Sequence, residues 1–201
     1  MNITVRVLLA TAGLSLMSAY PAFALEPPVT NAIVALSRAR TGQWIKLEGI
    51  PEKDSSLRCT KFKLLFGDRS DSNWTLRGSL LPVEPGSSEF RIGMFLIRLA
   101  SNPKYRGGRD TLKGFEDLKA GMIVKVKGQY LGDGMFLARK VDNESERLAT
   151  KPGIDTKIRI LGKIERVDAS RHSITVMGTT FQVTDKTQVR SGSAAADSTS
   201  D

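Results

Sequence analysis

An internal repeat in two parts constrains the fold of this chain more than any other feature of its sequence. The octapeptide at 42–49 matches that at 121–128 position for position, with glycine at both ends and apolar residues alternating between them. The same offset aligns 59–62 with 138–141 without a gap. We call this first repeated element B; such self-similarity indicates two copies of one supersecondary unit.

A second repeated element, A, lies between and after the copies of B. Residues 74–80 match residues 158–164, at a slightly longer offset because the second connector between B and A is longer. The chain therefore has the order B-A-B-A. This order predicts two copies of a small β unit that are interleaved along the sequence.

The pattern inside B predicts half-buried strands, because apolar residues alternate with other residues between glycines. In the first copy this alternation places Ile45 and Leu47 inside and Trp44 outside. The partner strands are predicted at 57–65 and 135–141. Each A element is predicted to form three strands, the first with an internal glycine at which a short sheet bends into a barrel.

The predicted fold class is all-β: two small five-stranded OB-like barrels with a short N-terminal helix. Residues 74–141 supply one complete barrel unit. Residues 42–66 plus 158–190, from the N- and C-terminal halves, are expected to close the second across the termini. A monomer or a domain-swapped dimer would pair these edges equally well.

The remaining segments are assigned by composition. Residues 25–41 form an N-terminal segment whose helix, at 30–38, is capped by Thr30 or Asn31. Residues 142–157 are polar and are predicted to be a linker, and 191–201 are predicted to be a disordered tail because they have nothing to bury.

The first 24 residues have the three parts of a secretory signal peptide. Arg6 supplies the positive region, 7–17 the apolar region, and 22–24 a small-x-small cleavage site. We expect cleavage after residue 24 and export to the periplasm or the extracellular space. No later stretch is apolar enough to predict a transmembrane segment in the mature chain.

Charge and cysteine content limit the partners. The formal net charge of +9 favours an anionic polymer or lipid head group, and export disfavours nucleic acid. The single cysteine, Cys59, cannot form an internal disulfide and aligns with Ala138, which predicts a buried, packed thiol.

Two stretches resemble a known family. They are 160–168 with 173–183, and 117–128 with 136–141, marked by recurrent glycines, a Leu-Lys-x-Gly turn and an Ala-Arg-Lys-Val ending. They are similar to bacterial envelope domains catalogued as domain of unknown function 5666 (DUF5666). The resemblance spans most of 42–190 and implies a small secreted β-barrel module, often repeated, with no assigned activity; the copy at 74–105 departs from the pattern.

The sequence contains no constellation typical of an enzyme. A single histidine, His172, and a single cysteine cannot readily supply a metal site or a nucleophile–base pair. Zinc, phosphate-loop, dinucleotide and serine-elbow motifs do not occur. We therefore predict no enzymatic activity, no cofactor and no metal.

Two binding functions remain. The first is assembly with another envelope protein, for which an exposed Trp44 is the candidate contact unless the N-terminal helix covers it. The alternative is binding of an anionic polymer or lipid head group through a basic connector at 98–113, unless that connector is only a solvated loop. The candidate contacts in this connector are Arg98, Lys104, Tyr105, Arg106, Arg109 and Lys113.

Overall fold

The computed structural model describes residues 31–67, 69–84, 86–107 and 112–190. The predicted signal peptide at 1–24, Arg109 and the predicted tail at 191–201 lie outside these residues. Among the helices described, none is long and apolar enough to cross a membrane.

Twelve strands and two short α-helices make up most of the described chain. The helices are α1 (Ala32–Ser37) and α2 (Ser145–Leu148), and 3-10 turns occur at Asp71–Asn73 and Phe115–Asp117. The strands are β1 (Trp44–Pro51), β2 (Leu57–Leu64), β3 (Trp74–Ser79), β4 (Glu89–Ile92), β5 (Phe95–Arg106), β6 (Ile123–Gly132), β7 (Met135–Asn143), β8 (Ile158–Lys163), β9 (Arg166–Asp168), β10 (Ser173–Val176), β11 (Thr179–Gln182) and β12 (Gln188–Val189).

The prediction of a mostly β protein with a short N-terminal helix is confirmed. Helix α1 begins after Asn31, whose side-chain oxygen accepts hydrogen bonds from the backbone N–H groups of Ile33 (2.8 Å) and Val34 (3.4 Å). This cap provides an acceptor for backbone N–H groups of the first helical turn, which have no carbonyl partner inside the helix.

All twelve strands belong to one sheet. Its order is β4-β5-β7-β6-β3-β8-β1-β2-β11-β10-β9, with β12 paired to β2 outside this path. We call β3–β7 the central strands, and β1, β2 and β8–β12 the terminal strands. The pairing of β3 with β8 joins the two groups, and we call it the seam.

The prediction of two closed barrels is wrong, because the strands form a single open sheet. Closure of the central strands would need a full ladder between β3 and β4, but only an isolated bridge links Leu80 to Ile92. The edge of β3 is instead covered by β8, with Thr75 to Arg77 paired to Leu161 to Arg159. Each group thus completes its edge on the other group.

The seam also relates the two copies of the repeat. Leu76 and Ile160 are equivalent residues of element A, and they are paired directly across the seam. Beyond them, Leu76 pairs with Val126 on one side, and Ile160 pairs with the equivalent Leu47 on the other. Antiparallel pairing of equivalent strands at equivalent residues gives the sheet an approximate twofold axis at the Leu76–Ile160 pair. These four side chains are almost fully buried and form the centre of the core.

Glycines of the repeat are required by close approach between strands. A Cβ atom added at Gly128 would lie 1.9 Å from the carbonyl oxygen of Leu137. At Gly162 it would lie 2.5 Å from the Trp74 ring. Neither residue has a positive φ, so space and not backbone conformation excludes a side chain there.

The Gly128→Ala substitution should therefore destabilise the fold. We expect the free energy of unfolding to fall by about 3 kcal/mol, because backbone atoms would have to move to admit the methyl group. Urea denaturation measures this change. Gln129→Ala, at the next position of the same strand, is the matched control, and an equal loss in both variants would contradict the crowding argument.

The thiol of Cys59 should be inert in the folded protein. It is buried, and burial raises its pKa to about 12. We expect it to react with a disulfide reagent at pH 8 more than about a hundredfold slower than in denaturant, since only the thiolate attacks. Comparable rates in the folded and unfolded protein would show that the site is open.

Candidate functional site

Trp44 is not on the surface, so the prediction that it is exposed is wrong. Its side chain is 3% exposed, with its ring centroid 5.3 Å from that of Trp74 and the Lys163 ammonium 5.8 Å from its centre. The seam brings Trp74 next to Gly162, on the strand paired with β1. The tertiary pairing therefore covers this indole.

The described part of the predicted basic connector at 98–113 is largely a strand, and its five described candidate contacts do not form one cluster. β5 continues to Arg106, and an irregularity after Leu99 separates Arg98 from the later residues. Arg98 lies beside Glu89, with its Nε 2.7 Å from a carboxylate oxygen.

The remaining contacts of this group divide by position. Tyr105 is half-buried against the core, and burial, followed by the charge of Glu116, raises its pKa. The backbone N–H of Lys113 donates to Asp117 at 2.7 Å in the turn before β6. Only Lys104 and Arg106 share one face of the strand, where both are exposed.

These two residues mark the ends of two charged rows that cross the sheet. Directly paired residues on neighbouring strands have their side chains on the same face, so a row can be followed from strand to strand through these pairings. We call the two charged rows row 1 and row 2. In the order β2, β1, β8, β3, β6, β7, β5, row 1 consists of Lys61, Glu48, Arg159, Arg77, Lys125, Asp142 and Arg106.

Row 2 lies two residues along the same strands and therefore on the same face. In the same strand order it consists of Lys63, Lys46, Leu161, Thr75, Lys127, Lys140 and Lys104. Together the rows hold ten basic residues and two acidic ones, and row 2 has no acidic residue. We call the two rows the basic face.

The opposite face of these strands is the core. Leu47, Ile160, Leu76 and Val126 alternate with the row residues and are at most 1% exposed. The basic face is therefore the outer side of the sheet, and it continues without a break in pairing from terminal to central strands.

A buried ionic network lies in row 1 at the seam. Glu48 is 7% exposed and accepts hydrogen bonds from Nε and Nη2 of Arg159, the former at 3.1 Å. Arg77, 5% exposed, has Nη2 3.6 Å from the Glu48 carboxylate and Nη1 3.5 Å from that of Glu144. Glu144 follows β7 and is also paired with Arg147. The network thus connects both groups of strands.

The network contains more positive than negative charge. Lys157 lies 3.9 Å from Glu48, so that four basic groups surround two carboxylates. Burial by itself would raise the pKa of Glu48. The hydrogen bond and charge of Arg159, with Lys157 and Arg77, outweigh burial and hold this pKa below its ordinary value.

Positive charge is also dense at the end of row 1. Partial burial, followed by the charge of Arg190, lowers the pKa of the Lys61 ammonium. A bound anion would relieve this repulsion. The basic face is therefore suited to hold several negative charges at once.

The basic face was not predicted from the sequence, although its residues follow an alternating pattern within each strand. Lys46 and Glu48, Lys61 and Lys63, and Lys125 and Lys127 each alternate with apolar or small residues. Such alternation identifies an outer face within a strand. It does not indicate which strands are neighbours, and the face exists only through that order.

The structure also contains a cleft of about 520 Å³ where turns of the two groups meet. Its walls include Met94, Tyr130 and Met177, together with Glu165. Both Glu165 carboxylate oxygens accept from the backbone N–H of Gly178, at 3.0 and 3.2 Å. These bonds orient the carboxylate locally, as expected of a structural role.

The structure does not bring the histidine and the possible metal-ligating residues of the sequence together into a site within the described residues. His172 is exposed, in the turn between β9 and β10. Within the described ranges, no group of three histidine, cysteine, aspartate or glutamate residues could hold a metal ion.

The fold and this face define a class: an all-β protein with an internal repeat and a basic outer sheet surface. A family model described as a domain of unknown function, DUF5666, matches residues 84–142 and 162–200. The match in two separate segments confirms the predicted resemblance to this family. No curated protein and no solved structure matches the chain.

Glu48 should link the stability of the fold to pH. Because its folded-state pKa is depressed, its contribution is present above the ordinary value of 4.5 and is lost as the pH falls through the lower folded-state value. We expect Glu48→Gln to lower the free energy of unfolding at pH 7 by about 3 kcal/mol, since the buried Arg77 and the partly exposed Arg159 lose a counter-charge. The variant should also lose part of the acid dependence.

Denaturant titrations from pH 7 to pH 3 measure both effects. Glu52→Gln is the control, because Glu52 pairs with Arg58 at the exposed surface and should change stability by less than about 0.5 kcal/mol. Identical pH profiles for wild type and Glu48→Gln would show that Glu48 does not provide the linkage.

Proposed function

We propose that this protein is a non-catalytic, exported binding module that holds an anionic ligand of the cell envelope against its basic face. The observation that carries the proposal is the alignment of rows 1 and 2 across seven paired strands. Export follows from the signal peptide predicted at 1–24, and it places the face where acidic polymers and lipid head groups are available.

The spacing of the rows supports binding of several charges. Neighbouring strands lie about 4.8 Å apart, and the two rows lie about 6.7 Å apart along a strand. Basic groups at these separations repel each other and collect counterions. A ligand with several negative charges releases those counterions, which favours association and makes it depend on salt.

The composition of the face disfavours recognition of nucleic-acid bases. Neither row contains an aromatic side chain on which a base could stack. Tyr105, the aromatic residue predicted to serve this purpose, is packed against the core. The ligand is therefore expected to be recognised by charge.

Assembly with another envelope protein, the other function predicted from the sequence, stays a prediction. It depended on Trp44 as an exposed contact, and this side chain is buried. The basic face provides a better-supported contact.

Neutralising four lysines of row 2 should weaken binding to a model polyanion. We expect the variant with Lys46, Lys63, Lys127 and Lys140 all changed to Gln to bind heparin at least about tenfold more weakly at low salt, with a shallower salt dependence. Isothermal titration at several salt concentrations measures both quantities, and circular dichroism checks the fold.

A control variant carries the same change in net charge. Its four substitutions to Gln are at exposed lysines outside the rows, Lys53, Lys119, Lys151 and Lys186. It should bind nearly as the wild type does. Equal weakening in both variants would mean that net charge, and not the basic face, governs binding.

A further inference from the structure

The length of the basic face limits the shape of its ligand. Each row crosses seven strands, so six steps of about 4.8 Å give a length of about 29 Å. Pairing is continuous through the seam, from Lys46 on β1 through Leu161 and Thr75 to Lys127 on β6. A ligand that uses the whole row must therefore be extended and must contact both groups of strands.

The twist of the sheet restricts the ligand further. Neighbouring strands are rotated by about 20–25°, which amounts to roughly 120–150° over six steps. With this average twist the outer surface would turn with the strands, so that Lys63 at one end and Lys104 at the other would face very different directions. A planar bilayer could face only a few neighbouring strands, whereas a flexible chain can follow the turn.

The charges of row 2 form two clusters. Lys63 and Lys46 belong to the terminal strands, and Lys127, Lys140 and Lys104 belong to the central strands. Uncharged Leu161 and Thr75 separate them at the seam, and three strand steps between Lys46 and Lys127 correspond to about 14 Å. In row 1 at the same place, Arg77 is buried between Glu48 and Glu144, and the partly exposed Arg159 is paired with Glu48, so both seam arginines already have carboxylate partners.

Two lysine clusters separated by an uncharged stretch of row 2 make binding along this row bivalent. A short anion can occupy one cluster only and gains two or three ionic contacts. A chain that reaches the second cluster binds there at a high effective concentration, so its affinity rises steeply once its length spans the gap.

We propose that the ligand is a flexible linear polyanion that crosses the strands at the seam and is held by lysine clusters of both groups. This inference rests on the proposed function and specifies the class of its ligand. The shared chemistry is a chain of regularly spaced phosphate, sulfate or carboxylate groups.

Oligo-aspartate peptides of defined length test the proposal. An extended peptide spans at most about 3.5 Å per residue, so three residues cover one cluster and nine cover the row. At low salt, we expect the affinity to increase more than about tenfold between three and nine residues when expressed per residue. For peptides longer than nine residues, the affinity should increase only in proportion to the number of registers in which the peptide can occupy the row.

Variants of the two clusters separate bivalent binding from simple attraction. Lys46→Gln with Lys63→Gln removes the first cluster, and Lys127→Gln with Lys140→Gln removes most of the second. Either pair should abolish the steep increase, so that nine residues bind no better per residue than three. The pair Lys53→Gln with Lys186→Gln, outside the rows, should leave the length dependence unchanged.

Vesicles that contain an anionic phospholipid test the planar alternative. We expect the vesicles to bind more weakly than the nine-residue peptide at equal total charge. Because a planar surface can face only one cluster, removal of that cluster should weaken vesicle binding, and removal of the other should not. A smooth dependence on length, together with tight vesicle binding, would overturn the linear polyanion while leaving the proposed function intact. Failure of peptides, heparin and vesicles alike would overturn the proposed function itself.

Discussion

The antiparallel pairing of β3 with β8 is the contact on which the rest of the structure depends, because it is the strand pairing that joins the central and terminal strands within the described chain. Without it, both strands would present unpaired backbone groups at a sheet edge. The buried charges of Glu48 and Arg77 and the partly exposed Arg159 lie on its outer side, and Leu76 and Ile160 lie on its inner side. A slip of one residue would turn the arginines towards the core, so burial and charge both fix the register.

The same pairing creates the basic face and explains its asymmetry. The approximate twofold axis at Leu76 and Ile160 exchanges row 1 with row 2, but the side chains have diverged. Glu48 of row 1 corresponds to Lys127 of row 2, and Arg77 corresponds to Leu161. Acidic residues are consequently confined to row 1, where Glu48 pairs with Arg159 and Arg77 at the seam and Asp142 pairs with Lys140 of row 2. Row 2 keeps lysines at both ends. The same backbone arrangement thus places the buried ion pairs of the seam in row 1 and a run of partly exposed lysines in row 2.

Sequence reasoning succeeded where the determining interactions are local. Alternation identified the strands of B, and Thr30 or Asn31 was predicted as the helix cap; the cap is Asn31, whose side chain bonds to the next turn, and Thr30 lies outside the described residues. It failed where a distant strand decides the outcome. The segment after Leu99 has little apolar character, yet parallel pairing with β7 extends β5 to Arg106. Trp44 was placed outside by alternation, yet Trp74 covers it across the seam. Neither partner is adjacent in sequence, and local periodicity carries no information about such neighbours.

The sequence by itself determined that the protein is a repeated β structure, which residues of most strands alternate between core and surface, and which family the chain resembles. These properties follow from period-two burial and from glycines at fixed positions, both of which are local. Only the tertiary structure decided that the two copies share one open sheet instead of closing separately. It also decided that lysines from distant strands lie in continuous rows. The physical reason is that backbone hydrogen bonding between strands is indifferent to side-chain identity, so the order of strands is selected by packing and burial over the whole chain.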